Sequence, residues 1–314
     1  MIDILFLATG LVLLLAGGDI LVRGAVVIAE RMAIPPLIIG LTIVSIGTSA
    51  PELFISVQAA LSGSGGLAIG NVVGSNIANV LLVLGVPAMV AMTCCDEEAI
   101  GRNIVVMIGV TLVFMAMLAK GSLGFLDGAI LVALTVLFLW DQYRNARNGK
   151  DDLLENSNDT LSEAPRSLTV PIACLIGGII LLPMGAWLTV EAAHNIALSL
   201  GVPDEIIGLT IVAIGTSLPE LAASLMAAIR GNTNVAIGNV VGSNILNIAA
   251  IMGITALIAD LDVGDHIIKV DMWMMLAVAI WLVWLAVYKK RISRRSGVFM
   301  SVAYTIYLGA AFIK

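Results

Sequence analysis

The amino-acid sequence predicts an all-α integral membrane protein with ten transmembrane helices, arranged as two inverted-topology five-helix repeats in which helices 2, 3, 7 and 8 are discontinuous. Three observations predict this fold: an apolar composition, a series of long apolar segments and an internal repeat. Hydrophobic residues make up 60% of the 314 residues and charged residues 12%, against ~45 to 50% and about 25% in globular domains. Mean hydropathy is +1.05. Too little polar surface remains to coat a water-soluble particle, so a cytosolic enzyme is excluded.

The membrane-spanning segments are predicted where charges and turn residues flank long apolar runs, because a helix needs roughly 20 apolar residues to cross ~30 Å of hydrocarbon. The first run carries Asp3 and has no positive start, so we expect a membrane helix there and not a cleavable signal. The predicted segments are residues 4–29, 34–61, 67–92, 103–119, 124–140, 169–199, 204–229, 235–259, 270–288 and 297–313.

A polar stretch divides these segments into two groups of five. Residues 141–168 have the composition of a solvated linker, which separates a first five-helix repeat (residues 1–140) from a second (residues 169–314). Short cytoplasmic loops are rich in Lys and Arg. With the linker in the cytoplasm, 13 of the 16 Lys and Arg residues lie on or near that side, and 3 lie on the other. We therefore expect a multi-pass protein of the cell (inner) membrane with both termini outside and a cytoplasmic linker.

The internal repeat joins residues 38–86 to residues 206–254 at a constant offset of 168, and about 30 of the 49 positions are identical. The identities include Thr, Ser, Pro, Glu, Asn and Gly, which membrane solubility alone does not maintain. Each half has an odd number of predicted spans, so the two copies lie in opposite orientations. Inverted repeats of this kind meet near the bilayer midplane and form a substrate site there.

Each copy carries a helix break in the middle of a predicted span, GTSAPE at residues 47–52 and GTSLPE at residues 215–220. A proline inside a helix removes one N–H donor and clashes with the carbonyl four residues earlier. Freed backbone oxygens at membrane depth are tolerated only where they line a cavity or find a partner. Helical spacing also places two hydroxyls on the same face as the carboxylate. These side chains are Thr48, Ser49 and Glu52 in the first copy, and Thr216, Ser217 and Glu220 in the second.

The next predicted span of each copy carries a second polar motif, GNVVGSNIAN at residues 70–79 and GNVVGSNILN at residues 238–247. Its glycines form small-xxx-small pairs that allow close helix contact, so the two polar faces can converge. Four asparagines, Asn71, Asn76, Asn239 and Asn244, are predicted to form interhelical hydrogen bonds instead of binding a ligand. The predicted site residues of this motif are Ser75, Asn79, Ser243 and Asn247.

The chemistry of these motifs points to a hard cation. Carboxylates, hydroxyls, amides and loosened carbonyls are all oxygen donors, which suit Ca²⁺ or Na⁺, whereas transition metals favour His or Cys. An acidic residue inside the membrane costs ~2.5 to 3.5 kcal/mol, which argues against a purely structural role for Glu52 and Glu220. No bound cofactor is predicted.

The remaining polar residues carry less information. Asp19 and Arg23 are spaced for an i,i+4 ion pair in the first span, but the positions 168 residues later are Trp187 and Glu191. The three cysteines, Cys94, Cys95 and Cys174, match no zinc pattern, so we expect free thiols. No basic stripe indicates a nucleic-acid partner, and no oligomeric state is predicted.

At the GTSxPE and GNxxGSN motifs, each present twice, the sequence resembles the cation/calcium antiporter superfamily, particularly the prokaryotic branch of the sodium/calcium exchanger family. The resemblance covers essentially the whole chain. It implies an ion site in which Glu52 and Glu220 are the principal carboxylate ligands and the hydroxyl and amide residues of both motifs complete the shell. Residues that match the family's extra carbonyl donors are Ser45 and Ala213. The resemblance also implies alternating access, in which the first and sixth helices slide over a core built from the broken helices.

One departure from the family pattern concerns charge. Several family members carry Asp at one of the positions occupied here by Asn79 and Asn247, whereas this chain offers two acids. Two fixed negative charges can neutralise one Ca²⁺, two Na⁺ or two H⁺. We therefore expect a secondary active antiporter that exports Ca²⁺ in exchange for Na⁺, with a Ca²⁺/H⁺ antiporter as the alternative and a cation channel as a further one. An intramembrane enzyme is disfavoured because no nucleophile accompanies the carboxylates.

Overall fold

The computed structural model describes residues 2–156, 167–201 and 213–312, and its side chains are described for residues 2–147, 167–201 and 214–310. The first half contains helices α1 (Ile2–Met32), α2 (Pro36–Thr48), α3 (Ala50–Leu61), α4 (Gly65–Val90), α5 (Glu98–Leu118) and α6 (Phe125–Asn156). The second half contains α7 (Thr169–Ser199), α8 (Ala213–Thr216), α9 (Leu218–Ile229), α10 (Thr233–Ile258), α11 (Ile267–Tyr288) and α12 (Arg294–Phe312).

Seven helices of the described part are long and apolar enough to cross a membrane, namely α1, α4, α5, α6, α7, α10 and α11. The bent pair of α2 and α3 would make an eighth span. Nearly every described helix begins and ends within five residues of its predicted bounds. The described part of the chain is therefore an all-α membrane protein with seven or eight apolar spans.

The end of α6 is an exception, because the predicted linker at residues 141–168 is helical as far as Asn156. Side chains beyond the apolar run hold this extension against α5. Arg102 pairs with Asp141 at 2.7 Å, and Gln142 Nε2 donates to Asn103 Oδ1 at 2.9 Å. The first part of the predicted linker, residues 141–156, therefore continues α6 as a helix, and residues 157–166 lie outside the described part of the chain.

The predicted discontinuity of the second helix is confirmed at Ser49, where α2 and α3 meet at 46°. Ser49 has φ −85° and ψ 9° and leaves the helical region. Ser217 has nearly the same angles, −86° and 3°, between α8 and α9. Each break comes two residues before a proline, which cannot donate the hydrogen bond that would continue the helix. Residues 206–212, the start of the second repeat copy, lie outside the described part.

The third and eighth helices of the prediction are continuous, so the predicted discontinuity was wrong for them. α4 and α10 instead contain π-helical turns at Asn79–Val83 and Asn247–Met252. A π turn inserts an extra residue into a helix while its backbone groups stay hydrogen-bonded. Both turns begin at the asparagine that ends the polar motif, so each helix is irregular there without being broken.

Small residues bring α1 and α7 into close antiparallel contact, as is typical of helix pairs in membranes. A Cβ atom on Gly10 would lie 2.9 Å from the Gly185 carbonyl oxygen, and one on Gly178 would lie 2.8 Å from that of Gly17. Gly178 and Gly185 lie 168 positions after Gly10 and Gly17, so the second contact repeats the first with the two halves of the chain exchanged. Arg31, at the end of α1, donates to the Ser167 carbonyl at 2.6 Å. We call the end of the molecule where α1 ends and α7 begins the linker face.

Two short antiparallel β-ladders are related to each other by the same exchange of the two halves of the chain. Strand β1 (Thr93–Cys94) pairs with β4 (Arg291–Ile292), and β2 (Ser122–Leu123) pairs with β3 (Leu261–Asp262). β3 follows β1 by 168 residues and β4 follows β2 by 169, so both ladders are one structure that occurs twice. The symmetry of the sequence thus extends to connections outside the repeat itself.

The buried apolar side chains form two clusters. The larger joins α4, α5, α10 and α11, and the smaller joins α1 and α7 to parts of α2, α9 and α10. The pair α1 and α7 is therefore packed against the broken helices as a separate layer, outside the main core.

Candidate cation site

The two acidic residues of the repeat are buried at the starts of helices that follow the breaks. Glu52 lies in the first turn of α3 and Glu220 in the first turn of α9, with 1% and 0% of their surfaces exposed. A helix N-terminus carries a partial positive charge, which favours a carboxylate there. The chain breaks therefore place each acid beside a favourable backbone dipole within the membrane.

A hydrogen bond between the two repeat copies brings the acids together. The Ser49 hydroxyl donates to Glu220 Oε1 at 2.8 Å, and its oxygen lies 3.1 Å from Ser243 Oγ on α10. Glu52, three residues after Ser49, is close enough to Glu220 for the two groups to interact electrostatically. The first break, the second acid and the second polar motif thus share one site.

The polar faces of α4 and α10 also meet. Asn247 Nδ2 donates to Ser75 Oγ at 3.1 Å and to Asn76 Oδ1 at 3.2 Å. Asn79 is 1% exposed and starts the π turn of α4. Ser75 and Asn247 therefore meet at a buried interface between α4 and α10, and Asn79 is buried one helical turn after Ser75.

Unpartnered polar atoms concentrate at these residues. In the described part of the chain, eleven buried side-chain oxygen and nitrogen atoms have no hydrogen-bond partner, and seven of them belong to predicted site residues. A buried polar group without a partner is costly, and an unpaired charge is far more so. A cation in contact with these oxygens would remove that cost. The seven atoms are both carboxylate oxygens of Glu52, Glu220 Oε2, both amide atoms of Asn79, Asn247 Oδ1 and Ser217 Oγ.

The remaining predicted residues lie around this cluster with partners of their own. The Thr48 hydroxyl donates to Asn239 Oδ1 at 3.2 Å. The Ser45 hydroxyl donates back to the Leu41 carbonyl in its own helix at 2.8 Å, so only its backbone carbonyl, which accepts from the Ser49 N–H at 3.0 Å, faces the break. Thr216 is 8% exposed. Ala213 begins α8, and its side chain lies outside the described set.

The predicted interhelical role of the asparagines is confirmed. Asn71 Nδ2 donates to Ser56 Oγ at 2.9 Å and to the Glu52 carbonyl at 3.3 Å. The second copy repeats this arrangement, in which Asn239 Nδ2 donates to Ser224 Oγ at 3.0 Å and to the Glu220 carbonyl at 3.4 Å. Asn76 donates to the sulfur of Met275, and its counterpart Asn244 donates to the sulfur of Met107.

Sequence reasoning missed Ser56 and Ser224 as positioning residues. Their identity at equivalent positions of the two copies is the signal that could have found them. Each hydroxyl fixes an asparagine that in turn holds the backbone of a glutamate turn. These serines therefore position the two glutamates indirectly, through the asparagines.

The donor set excludes a transition-metal cluster within the described side chains, where no group of three or more His, Cys, Asp or Glu residues could hold a metal ion. Two carboxylates with hydroxyl and amide oxygens match the preferences of hard cations such as Ca²⁺. The arrangement therefore suits a hard cation better than a transition metal.

An apolar cavity of about 500 Å³ reaches both breaks between α3, α7 and α8. It lies on the side away from the linker face, because its α7 residues come from the middle of that helix and the turns just after it, and its α3 residues follow the first break. The described residues that line it are Ala50, Pro51, Phe54, Ile55, Pro183, Ala186, Trp187, Val190, Gly215 and Thr216.

Comparisons with known proteins agree with this architecture. The family model described as "Sodium/calcium exchanger protein" matches residues 2–144 and 170–313. The inner membrane protein YrbG of Escherichia coli is 38% identical over 87% of this chain and 85% of its own. The sodium/calcium exchanger MaX1 of Methanosarcina acetivorans is 31% identical over 99% of both chains.

Solved structures of the sodium-calcium exchanger NCX_Mj share the fold. The crystal soaked with 2.5 mM Na⁺ and 0.1 mM Ca²⁺ superimposes with a TM-score of 0.85 at 32% identity, over 98% of both chains. Because both halves match one family of transporters and the whole fold is shared, the chain is a multi-pass membrane transporter and not an enzyme, and it belongs to the sodium/calcium exchanger family.

Proposed function

We propose that the protein is a secondary active antiporter that exchanges Ca²⁺ for Na⁺ by alternating access across the cell (inner) membrane. The observation that carries this proposal is the pair of buried glutamates from opposite repeat copies, with three of their four carboxylate oxygens unpartnered among the described residues. Two fixed charges can be neutralised by one Ca²⁺ or by two monovalent cations. Competition for the same two charges is the physical basis of exchange.

The ion ligands in this proposal are the residues of both motifs. Glu52 and Glu220 supply the charge, and neutral oxygens complete a shell of the six to eight donors that Ca²⁺ prefers. The neutral ligands are Thr48, Ser49, Thr216, Ser217, Ser75, Asn79, Ser243 and Asn247, with the backbone carbonyls of Ser45 and Ala213.

Coupling follows from the cost of the unloaded state. Two carboxylates without a cation repel each other and are desolvated, so the unloaded carrier resists the change between its two orientations. Movement of one cation is thereby tied to return of the other. If three Na⁺ exchange for one Ca²⁺, a net charge crosses and voltage biases the reaction by ~2.3 kcal/mol per 100 mV.

The proposed topology has ten spans in two inverted five-helix repeats, residues 1–140 and 169–314. Two further spans complete the ten in this proposal. One is formed by α8 with α9, in the position that α2 with α3 occupies in the first half. The other is α12, in the position of α6. The repeated ladders and glycine contacts support a twofold relation between the halves. The excess of Lys and Arg supports a cytoplasmic linker with both termini outside, and the name of the Escherichia coli relative supports the inner membrane.

The test is isotope flux in proteoliposomes that contain the purified full chain. We expect uptake of radioactive Ca²⁺ when Na⁺ is loaded inside and diluted outside, with little uptake when Na⁺ is equal on both sides. Glu220→Gln should abolish the uptake, while Glu30→Gln, at an exposed position on α1, should not. Uptake driven by a pH gradient and indifferent to Na⁺ would instead support a Ca²⁺/H⁺ antiporter. Uptake that follows voltage alone, without a counter-ion, would support a channel.

A further inference from the structure

The two copies of the interface between the outer helix pair and the broken helices differ in this structure. On α1, Gly18 packs directly against α9, since a Cβ atom on Gly18 would lie 2.8 Å from the Ala222 carbonyl oxygen. The equivalent residues 168 positions away are Ala186 on α7 and Phe54 on α3, and both line the 500 Å³ cavity. One copy of the interface is therefore closed and the other is open.

The closed copy extends to the linker face. The turn between α9 and α10 lies there. Gly40 follows the end of α1 by eight residues, and a Cβ atom on it would lie 2.6 Å from the carbonyl oxygen of Val235, near the start of α10. Arg230 begins this turn. Its side chain reaches back to α1, so it spans the boundary between the outer helix pair and the broken helices.

Arg230 meets Asp19 across this boundary. The Arg230 Nε and Nη2 atoms both contact Asp19 Oδ1, while Arg23 Nε lies 3.0 Å from Asp19 Oδ2. The side chains of Asp19 and Arg230 are 21% and 31% exposed, so the pair is partly shielded from solvent. The predicted pair of Asp19 with Arg23 is thus confirmed, but it lies within one helix, and only Arg230 connects two elements.

The open copy has no equivalent ion pair. The positions that correspond to Asp19 and Arg230 are occupied by Trp187 and Ser62. Trp187 is 65% exposed and Phe54 is 69% exposed, so closure of that copy would rely on apolar packing alone. The two closures are therefore chemically unequal, although the site between them is symmetric in sequence.

We infer that Asp19 and Arg230 form a latch across the interface between α1 and α9 that keeps this interface closed. The latch favours the state in which the opening lies on the opposite face. Its role in transport rests on the proposed function, because only alternating access requires that interface to open. Asp19 and Arg230 act as positioning residues, since neither belongs to the cation site.

Thiol accessibility tests the latch without reference to transport. In the full chain with Cys94, Cys95 and Cys174 replaced by alanine, a reporter Ala222→Cys sits at the closed interface, where Ala222 is 5% exposed. We expect Asp19→Asn and Arg230→Gln each to raise its rate of labelling by N-ethylmaleimide by roughly two- to fivefold. The double variant should label no faster than either single variant, because a pair that is already broken cannot be broken again. Arg23→Gln is the matched control and should leave the rate unchanged.

Unchanged labelling in both single variants would overturn the latch, and so would multiplicative effects in the double variant. Two independent single variants keep the test decisive if one of them fails to fold, which size-exclusion chromatography detects. Labelling that follows the ion pair while Ca²⁺ flux ignores Na⁺ would preserve the latch and refute the proposed exchange. Normal exchange with labelling indifferent to the pair would do the reverse.

Discussion

The Ser49 hydroxyl donates a hydrogen bond to Glu220 Oε1, 2.8 Å away and 171 residues later in the chain. The two residues come from different repeat copies, so this bond joins the first helix break to the second carboxylate. The equivalent hydroxyl, Ser217, has no partner among the described residues, and neither carboxylate oxygen of Glu52 accepts a bond there. A sequence that is symmetric at these positions is therefore asymmetric in its contacts.

Removal of either buried charge is predicted to separate transport from folding. Glu52→Gln and Glu220→Gln should abolish Ca²⁺ flux while thermal stability in cation-free buffer stays equal or rises, since an unpaired buried charge is unfavourable. Ca²⁺ at 100 times its dissociation constant should stabilise the unaltered protein by ~2.7 kcal/mol and should not stabilise these variants. Glu30→Gln should behave like the unaltered protein, and a retained Ca²⁺ shift in Glu52→Gln would remove that residue from the site.

The two break serines are predicted to differ in their effect on stability. Ser49→Ala removes a hydrogen bond to a carboxylate, a kind of bond that contributes ~1.5 to 3 kcal/mol, and should lower the unfolding temperature. Ser217→Ala removes a hydroxyl without a described partner and should change the temperature little. Thermal unfolding in detergent without Ca²⁺ makes the comparison, and equal losses in both variants would contradict the asymmetry.

Asn71 and Asn239, whose amides donate to the backbone carbonyls of Glu52 and Glu220, are predicted to be structural. Asn71→Ala breaks the contact with Ser56 and leaves a buried hydroxyl unsatisfied, which should cost ~1 to 3 kcal/mol. Asn239→Ala breaks the equivalent contact with Ser224 and also removes the acceptor of the Thr48 hydroxyl, so it should cost more. Unfolding temperatures rank the two variants. Ser56→Ala tests the first contact independently and should reproduce most of the loss of Asn71→Ala.

Replacement of Asn79 and of Asn247 by aspartate is predicted to change stability by different amounts. Asn247→Asp loses the amide that donates to Ser75 and Asn76 and should be destabilised by ~1 to 3 kcal/mol even in saturating Ca²⁺. Asn79→Asp loses no described hydrogen bond, so in saturating Ca²⁺ its loss of stability should be smaller than that of Asn247→Asp. The check is thermal unfolding at several Ca²⁺ concentrations. An equal loss in both variants would show that the Asn247 contacts contribute little.

The adjacent cysteines are predicted to differ in reactivity. All three cysteines are free thiols, as the sequence indicates, with Cys94 exposed and Cys95 buried. Burial, followed by the nearby Cys94 and Asp96, raises the pKa of Cys95 to about 12. A raised pKa lowers the fraction of reactive thiolate at any given pH, so between about pH 7 and 9 alkylation should modify Cys94 and spare Cys95. Peptide mass spectrometry after iodoacetamide treatment distinguishes the two thiols, and Cys94→Ser should abolish labelling of this pair.

The sequence by itself determined the apolar spans of the described part, the internal repeat and the acidic and polar motifs that the structure brings together. This was possible because membrane helices need long apolar runs, and because Pro51 and Pro219 interrupt hydrogen bonding wherever they occur in a helix. Identity of polar residues at a fixed offset identified Glu52 and Glu220 without any structure.

The tertiary structure alone decided which partner each polar group takes. A serine hydroxyl can bond its own helix or a neighbour, and Ser45 does the first while Ser49 does the second, because only Ser49 faces Glu220 across the break. In the same way Arg230 finds Asp19, and Arg102 with Asn103 prolongs α6. Such choices depend on distances between elements far apart in the chain, and no local pattern encodes those distances.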